Sequence, residues 1–314
     1  MNIPKKFPKA RLSLCLGSIV FGSITCSGTI LVEESFDYTV GDSLVGQSGG
    51  TGFSNGWSNG SGTSSTVSSG LTFSSLSTSG GSALVASTGT TVTLMNRTIN
   101  ANGSGTTIWG SYLFQSVDSP YMVANSNGST WDVRFKNQGG STSEYQVRPF
   151  SSTAGSATLT ANIGSSGSGG GFGAPATAPS IYDGSTYLFL SRVQGLGTGS
   201  VTMELWIFDE AGLAAARVAG MTDEALTSNV IANGYATISL STSLSISSGD
   251  VLQLANYSGY SPVETVETSY IVDELRYGTT VGDVTPIPEV SETSFVLGIA
   301  ISAMLIMKRR RNKM

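Results

Sequence analysis

Any acid–base chemistry in this chain has to come from its 21 acidic residues, because the sequence contains no histidine. That absence removes the commonest general base, the Ser-His and Cys-His nucleophile pairs and most zinc and iron sites. Two carboxylates about 5 Å apart suffice for retaining glycoside hydrolysis. The available sets are Glu33-Glu34, Asp209-Glu210, Asp223-Glu224 and Asp273-Glu274, with Glu264 and Glu267 more widely spaced. Neighbours along a strand point to opposite faces, so adjacent acids do not form such a pair. No Glu-x-Asp-x-x-Glu run occurs either. The expectation is a protein without catalysis; a cleft with two close carboxylates, or with a Tyr-Arg pair, would reverse it.

The acids suit calcium better, since Ca²⁺ takes six to eight hard oxygen ligands. If the first and last strands lie side by side, Glu34 and Asp37 approach Asp273 and Glu274, and these four are the expected calcium ligands. Carbohydrate is the other ligand class. Aromatic rings stack on sugar faces, and Trp57 stands in a Gly/Asn-rich stretch, Gly56-Trp57-Ser58-Asn59, where an exposed ring is expected. Trp206, between Leu205 and Ile207, reads instead as core or sheet. The Gly164–Gly173 run is not a phosphate loop, because it lacks the strand, lysine and helix that such a loop needs.

Composition limits what can hold these residues in place. Charged residues make up only 12% of the chain, and 40 of its 314 residues are Gly, a balance far from that of a helical protein. The two cysteines, Cys15 and Cys26, both precede residue 28. The rest of the chain therefore has no disulfide and no Cys–metal site, and holds together by burial alone. Between residues 29 and 285 stand seven basic and nineteen acidic residues, a balance of −12. Such a body repels nucleic acid.

The remaining cations lie at the two ends. Lys5, Lys6, Lys9 and Arg11 precede an apolar run, Leu12 to Ile24, and small residues follow. This is the layout of a secretory signal cut by signal peptidase, here residues 1–28. At the other end, Pro286-Ile287-Pro288-Glu289 leads to an apolar segment, Phe295 to Met307, and then to Lys308, Arg309, Arg310 and Arg311. Thirteen apolar residues make a helix of about 20 Å, short for a hydrocarbon core of about 30 Å. A transient anchor with a basic stop-transfer cluster fits that length.

Pro288-Glu289, the short apolar segment and the arginine tail together resemble a PEP-CTERM sorting domain over residues 286–314; Val290 stands where that family has a second proline. The resemblance implies recognition by an exosortase-type enzyme. It also implies a place in the envelope, on the surface or in the extracellular matrix of a Gram-negative bacterium that makes extracellular polysaccharide. Membrane contact would then be transient, through the C-terminal segment.

Between the ends, short apolar runs with a period of two residues alternate with Gly, Ser and Asn. Strands are predicted at Ile30–Phe36, Leu71–Phe73, Thr91–Arg97, Thr107–Gln115, Trp131–Lys136 and Tyr145–Phe150. Further strands are predicted at Tyr187–Gln194, Val201–Asp209, Tyr235–Leu240, Val251–Tyr257 and Ser269–Tyr277. Around Glu210–Leu226 one or two helical turns are expected at most, because Gly212 and Gly220 weaken that run. Ser54–Gly70 and Ser151–Gly173 read as surface loops. Alternation predicts that Val201, Met203, Leu205 and Ile207 share a face. It assigns Ile271, Asp273, Leu275 and Tyr277 to one side of the last strand and Tyr270, Val272, Glu274 and Arg276 to the other.

Many short strands separated by turns make an all-β, antiparallel β-sandwich. Glu34-Ser-Phe-Asp-Tyr, Gly49-Gly-Thr-Gly-Phe, Trp57 and Tyr270-Ile-Val-Asp-Glu-Leu-Arg-Tyr-Gly resemble concanavalin A-like/LamG-like jelly rolls. That resemblance implies one jelly-roll domain over residues 29–285. The expected function is that of an exported surface or matrix protein. The alternative is a carbohydrate-binding module for extracellular polysaccharide, calcium-dependent if the four acids assemble.

Overall fold

The alternating runs are strands, and their apolar faces meet between two sheets. The computed structural model describes residues 28–286, apart from 63–64, 88–91, 104, 118–129, 137–143, 154–155, 164–170, 174–178, 180, 182, 242 and 258–267. The two end segments, with Pro288, Glu289, Lys308, Arg309, Arg310 and Arg311, lie outside the described residues.

The first half runs β1 (Ile30–Glu34), β2 (Ser58–Ser61), β3 (Ser65–Ser69), β4 (Gly81–Ser87), β5 (Val92–Thr98), β6 (Thr107–Ser116) and β7 (Thr130–Lys136). It continues through β8 (Glu144–Thr153), β9 (Ser156–Ile163) and β10 (Gly171–Gly173). Then come β11 (Thr186–Gln194), β12 (Val201–Phe208), α1 (Glu210–Val218) and α2 (Asp223–Ser228). The chain closes with β13 (Tyr235–Leu240), β14 (Val251–Tyr257), β15 (Thr268–Gly278) and α3 (Val281–Val284).

One sheet has eight strands in the order β13-β12-β11-β6-β15-β4-β3, with β1 also paired to β15. The other has seven, in the order β10-β9-β8-β7-β14-β5-β2. Their strand pairs are antiparallel. Val201, Met203, Leu205 and Ile207 do share the inner face, in one cluster with Met95, Val133, Leu252, Leu254 and Tyr270.

Three expectations are corrected. The Ser54–Gly70 stretch contributes β2 and β3, and Ser151–Gly173 contributes the end of β8 with β9 and β10. Their backbones are paired to neighbours; ladder hydrogen bonds define the apolar-poor β2, β3 and β10, whereas β9 also alternates Ala157, Leu159, Ala161 and Ile163 with polar residues. Leu71–Phe73 is not a strand; it packs into a second apolar cluster.

Second, β15 changes phase. Its register shifts between Asp273 and Arg276, and Glu274 has φ 50°. One extra residue in a bulge moves every later side chain to the other face. Tyr270 and Val272 before it, and Leu275 and Tyr277 after it, therefore all lie in the inner core.

Third, residues 210–228 form two helices. Asp209 caps α1, its side chain accepting from Gly212 N, and Thr222 caps α2, accepting from Ala225 N. The glycine expected to break the helix ends it cleanly instead. Gly220 sits at φ +85°, Met221 N donates to Ala216 O and Gly220 N to Arg217 O, the paired bonds of a Schellman stop. Leu213, Ala216 and Leu226 from these helices cover Trp206, Phe208, Leu188, Leu190, Leu113 and Trp109 on the outer face of the eight-stranded sheet. Leu71, Phe73, Leu76 and Val284 complete that cover. The molecule thus has three layers: a helical cover, the eight-stranded sheet and the seven-stranded sheet.

Candidate functional site

Side-by-side pairing of the first and last strands is present: β1 runs against β15, with Glu33 opposite Arg276 and Glu34 opposite Leu275. It does not gather the four expected calcium ligands. Glu34 points inward. Its carboxylate is ion-paired to Arg97, accepts from Trp57 Nε1 at 3.1 Å and from Tyr38 Oη at 2.9 Å, and takes Phe36 N at 2.9 Å. Burial, then the Glu34 charge, pushes the Tyr38 phenol up to about 12. Asp37 is exposed in the following loop.

Asp273 and Glu274 sit at the bulge, on the other side of β15 from the inner core. Asp273 is 0% exposed and accepts from Leu71 N at 2.8 Å and Glu274 N at 2.7 Å. Burial, reinforced by Glu274, raises it to about 8. Glu274 accepts from Ser79 N and pairs with Arg276, and burial raises it too. These two acids therefore bind the ends of the 71–79 segment to the sheet. Among the described residues no three metal-ligating side chains converge.

Trp57 is corrected from loop surface to core. It is 1% exposed, stacks on Phe36 at 5.9 Å and meets Phe53 at 6.4 Å. The Arg97 guanidinium lies 3.9 Å over Phe53. Bonding its indole to Glu34 favours burying it, since the polar edge is satisfied and the ring fills the core. Its faces are not offered to a sugar.

Two other clusters also serve structure. Arg192 stacks over Trp109 and Trp206, at 5.0 and 5.4 Å, and pairs with Glu204 and Asp223, which fixes α2 to β11 and β12. An open cleft of about 280 Å³ is lined by Ser185, Thr186, Tyr187, Asp209, Ile231 and Ala232. Tyr187 Oη donates to Asp183 at 3.0 Å, and its phenol is pushed up to about 12 by burial and that carboxylate. A phenol held protonated by a carboxylate is a poor base.

The arrangement that sequence reading missed lies on the outer face of the seven-stranded sheet. In β7, Val133 and Phe135 face the core, so Arg134 faces outward. In β14, Leu252 and Leu254 face in and Gln253 faces out. Met95 of β5 faces in and Asn96 faces out. The register sets Asn96, Gln253 and Arg134 in one row. Arg134 Nε donates to Gln253 Oε1 at 2.6 Å, Arg134 Nη2 donates to the same oxygen, and Gln253 Nε2 donates to Asn96 Oδ1. The pairing extends the row to Ser58 of β2 on one side and to positions Gln146 of β8 and Asn162 of β9 on the other.

Arg134 is 5% and Gln253 2% exposed, so they form a floor, with half-buried Asn96, Thr98 and Lys136 around them. The buried Arg134–Gln253 pair fixes its half-buried neighbours, and it is these, Asn96, Thr98 and Lys136, whose amide, hydroxyl and ammonium groups could meet hydroxyl- and carboxylate-bearing polymers. The sequence did carry half of this signal, in the alternation Val-Arg-Phe-Lys and Leu-Gln-Leu.

No protein-family profile and no curated protein matches the chain. Solved structures resemble it in fold. The CBM2 module of the evolved Dit of Lactobacillus casei BL23 phage J-1 has a TM-score of 0.41 and 13% identity, over 80% of this chain and 96% of that one. An endo-β-1,4-glucuronan lyase from the fungus Trichoderma reesei has a TM-score of 0.42 and 11% identity, over 75% and 96%. The carbohydrate recognition domain of Emp47p has a TM-score of 0.40 and 8% identity, over 80% and 98%. At this level the likeness is one of sandwich architecture and bears on neither ligand nor chemistry.

Proposed function

We propose that this is an exported polysaccharide-binding protein that performs no catalysis and grips its glycan on the outer face of the seven-stranded sheet. The supporting observation is the hydrogen-bonded row of Asn96, Gln253 and Arg134, on a face where the described residues form no apolar cluster. Half-exposed Lys136 and Thr98 stand beside the row, where a sugar chain would meet them first. Export and surface retention follow from the two end segments: signal peptidase removes the first, and an exosortase-type enzyme acts at Pro288-Glu289 in the second. Extracellular polysaccharide of the producing cell is the natural ligand for a protein sorted in this way.

Affinity electrophoresis of the secreted protein through gels holding neutral or acidic polysaccharides tests the reading. Retardation by at least one polysaccharide, lost in Arg134→Ala and Gln253→Ala, is expected. Chain length and reducing ends of the glycan should stay constant during incubation. Unretarded migration through the whole panel by a folded protein would sink the binding claim; shortening of the glycan would sink the claim of no catalysis.

A further inference from the structure

We infer that the helical cover on the eight-stranded sheet, centred on α1 and α3, is the membrane-facing side of this protein, so that the Asn96–Gln253–Arg134 row points away from the bilayer. The inference rests on the reading of the two flanking segments as export and anchoring signals.

Both segments leave the body at one place. Gly28 lies so close to the Asp283 carboxylate of α3 that a Cβ there would collide with it. Next to it, Thr29 N donates to Thr279 Oγ1 at 3.0 Å and Thr279 N to Thr29 O at 3.1 Å. At the other end Val284 is buried in the outer cluster. Ser77 N donates to Pro286 O at 3.2 Å, and Arg217 Nη2 of α1 donates to Thr285 O at 2.9 Å and Pro286 O at 3.4 Å. The chain is therefore gripped up to Pro286 by the cover itself.

The tethers from this grip are short. Phe295 begins the apolar C-terminal segment nine residues after Pro286, at most about 30 Å of extended chain. Ile24 ends the N-terminal apolar run four residues before Gly28, at most about 14 Å. Until signal peptidase and the exosortase-type enzyme cut them, the cover is the part of the body that either segment holds nearest the bilayer.

The surface in that position suits lipid. The outward side of α1 is exposed at Ala211, Ala214, Ala215 and Val218, with Val218 92% exposed, and its one charge, Glu210 in the first turn, is engaged by Ser74 N and Oγ. Arg217, beside it, is turned back to the chain end. Exposed Asp223 and Glu224 on α2 border the face, so the occupant is a zwitterionic rather than an anionic bilayer surface. The row of polar side chains lies two sheets away on the opposite side of the sandwich, and sheets stack about 10 Å apart.

The full chain with Cys15→Ser and Cys26→Ser, carrying one fluorophore at Val218→Cys or at Asn59→Cys on β2, tests this in phosphatidylcholine vesicles with a headgroup-borne quencher. Flotation first shows whether the chain is vesicle-bound; a chain that stays in solution overturns the anchoring reading and this inference with it. For bound chain, emission at 218 should fall by about half, as for an interfacial helix face, with emission at 59 unchanged. Equal quenching at both positions, or quenching at 59 alone, overturns the orientation while leaving anchoring intact.

Discussion

The two sheets of this sandwich turn opposite kinds of surface outward. Outside the eight-stranded sheet, Trp109, Leu113, Leu188, Leu190, Trp206 and Phe208 form an apolar floor covered by two capped helices and the Leu71–Leu76 segment. Outside the seven-stranded sheet, the described strands present Asn96, Gln253 and Arg134 to one another instead. The first face is finished by the chain's own residues and stabilises the fold. The second is organised by polar side chains bonded to one another. A sheet that must hide one outer face and use the other has to be read strand by strand, since both faces alternate equally well.

Trp206→Ala should break the comparison most visibly on the covered side. It removes a fully buried indole stacked at 5.8 Å on Trp109 and should cost about 3–5 kcal/mol in urea unfolding, with glycan retardation kept in the fraction that stays folded. A loss of binding equal to that of Arg134→Ala would place the glycan on the wrong sheet.

The next effect is a pH dependence at the edge of the cover. Asp273 is raised to about 8 in the fold by burial and by Glu274, whereas an unfolded chain ionises it near its ordinary value of about 4. Between those values the folded protein keeps a proton that the unfolded chain gives up, so stability falls as pH rises and levels off above about 8. Denaturation midpoints from pH 4 to pH 9 should show this decline. Asp273→Asn should flatten it, while lowering stability at pH 4 because one of two accepted N–H bonds is lost. An unchanged slope in that variant would assign the dependence to another group.

Arg134→Ala should cost less stability, about 1–3 kcal/mol, since it leaves the buried Gln253 oxygen short of its donor. Its larger consequence should be on glycan retardation. A variant that unfolds as wild type yet still binds would reduce the row to ornament on the sheet. The smallest effect belongs to Thr222→Ala at the cap of α2, about 1 kcal/mol, seen as a lower unfolding midpoint with binding unaltered.

Much of the framework was legible as alternation. The strands from Thr107 to Ser116 and from Thr186 to Phe208 fall where apolar periodicity puts them. The strands in Ser/Gly runs were not: β2, β3 and β10 carry few apolar side chains and owe their form to backbone pairing, while the alternation Ala157, Leu159, Ala161, Ile163 of β9 lay unread inside a Ser/Gly/Thr-rich stretch. Trp57 misled for a related reason: its Gly/Asn neighbours suggest an exposed loop, but Ser58 and Asn59 begin β2 and the ring turns inward, where Glu34, itself paired with Arg97, accepts its indole N–H.

Sequence alone determined the antiparallel sandwich, the histidine-free chemistry and the uneven charge, because periodicity and composition are local properties that survive in one dimension. Only the tertiary structure decided which polar residues form a row. Asn96, Arg134 and Gln253 are 157 positions apart at their extremes, and strand order, unlike strand period, is set by how the sheets bury their apolar faces together. The bulge at Asp273-Glu274 shows the same limit within one strand: a single inserted residue reverses every face beyond it, and no local pattern announces it.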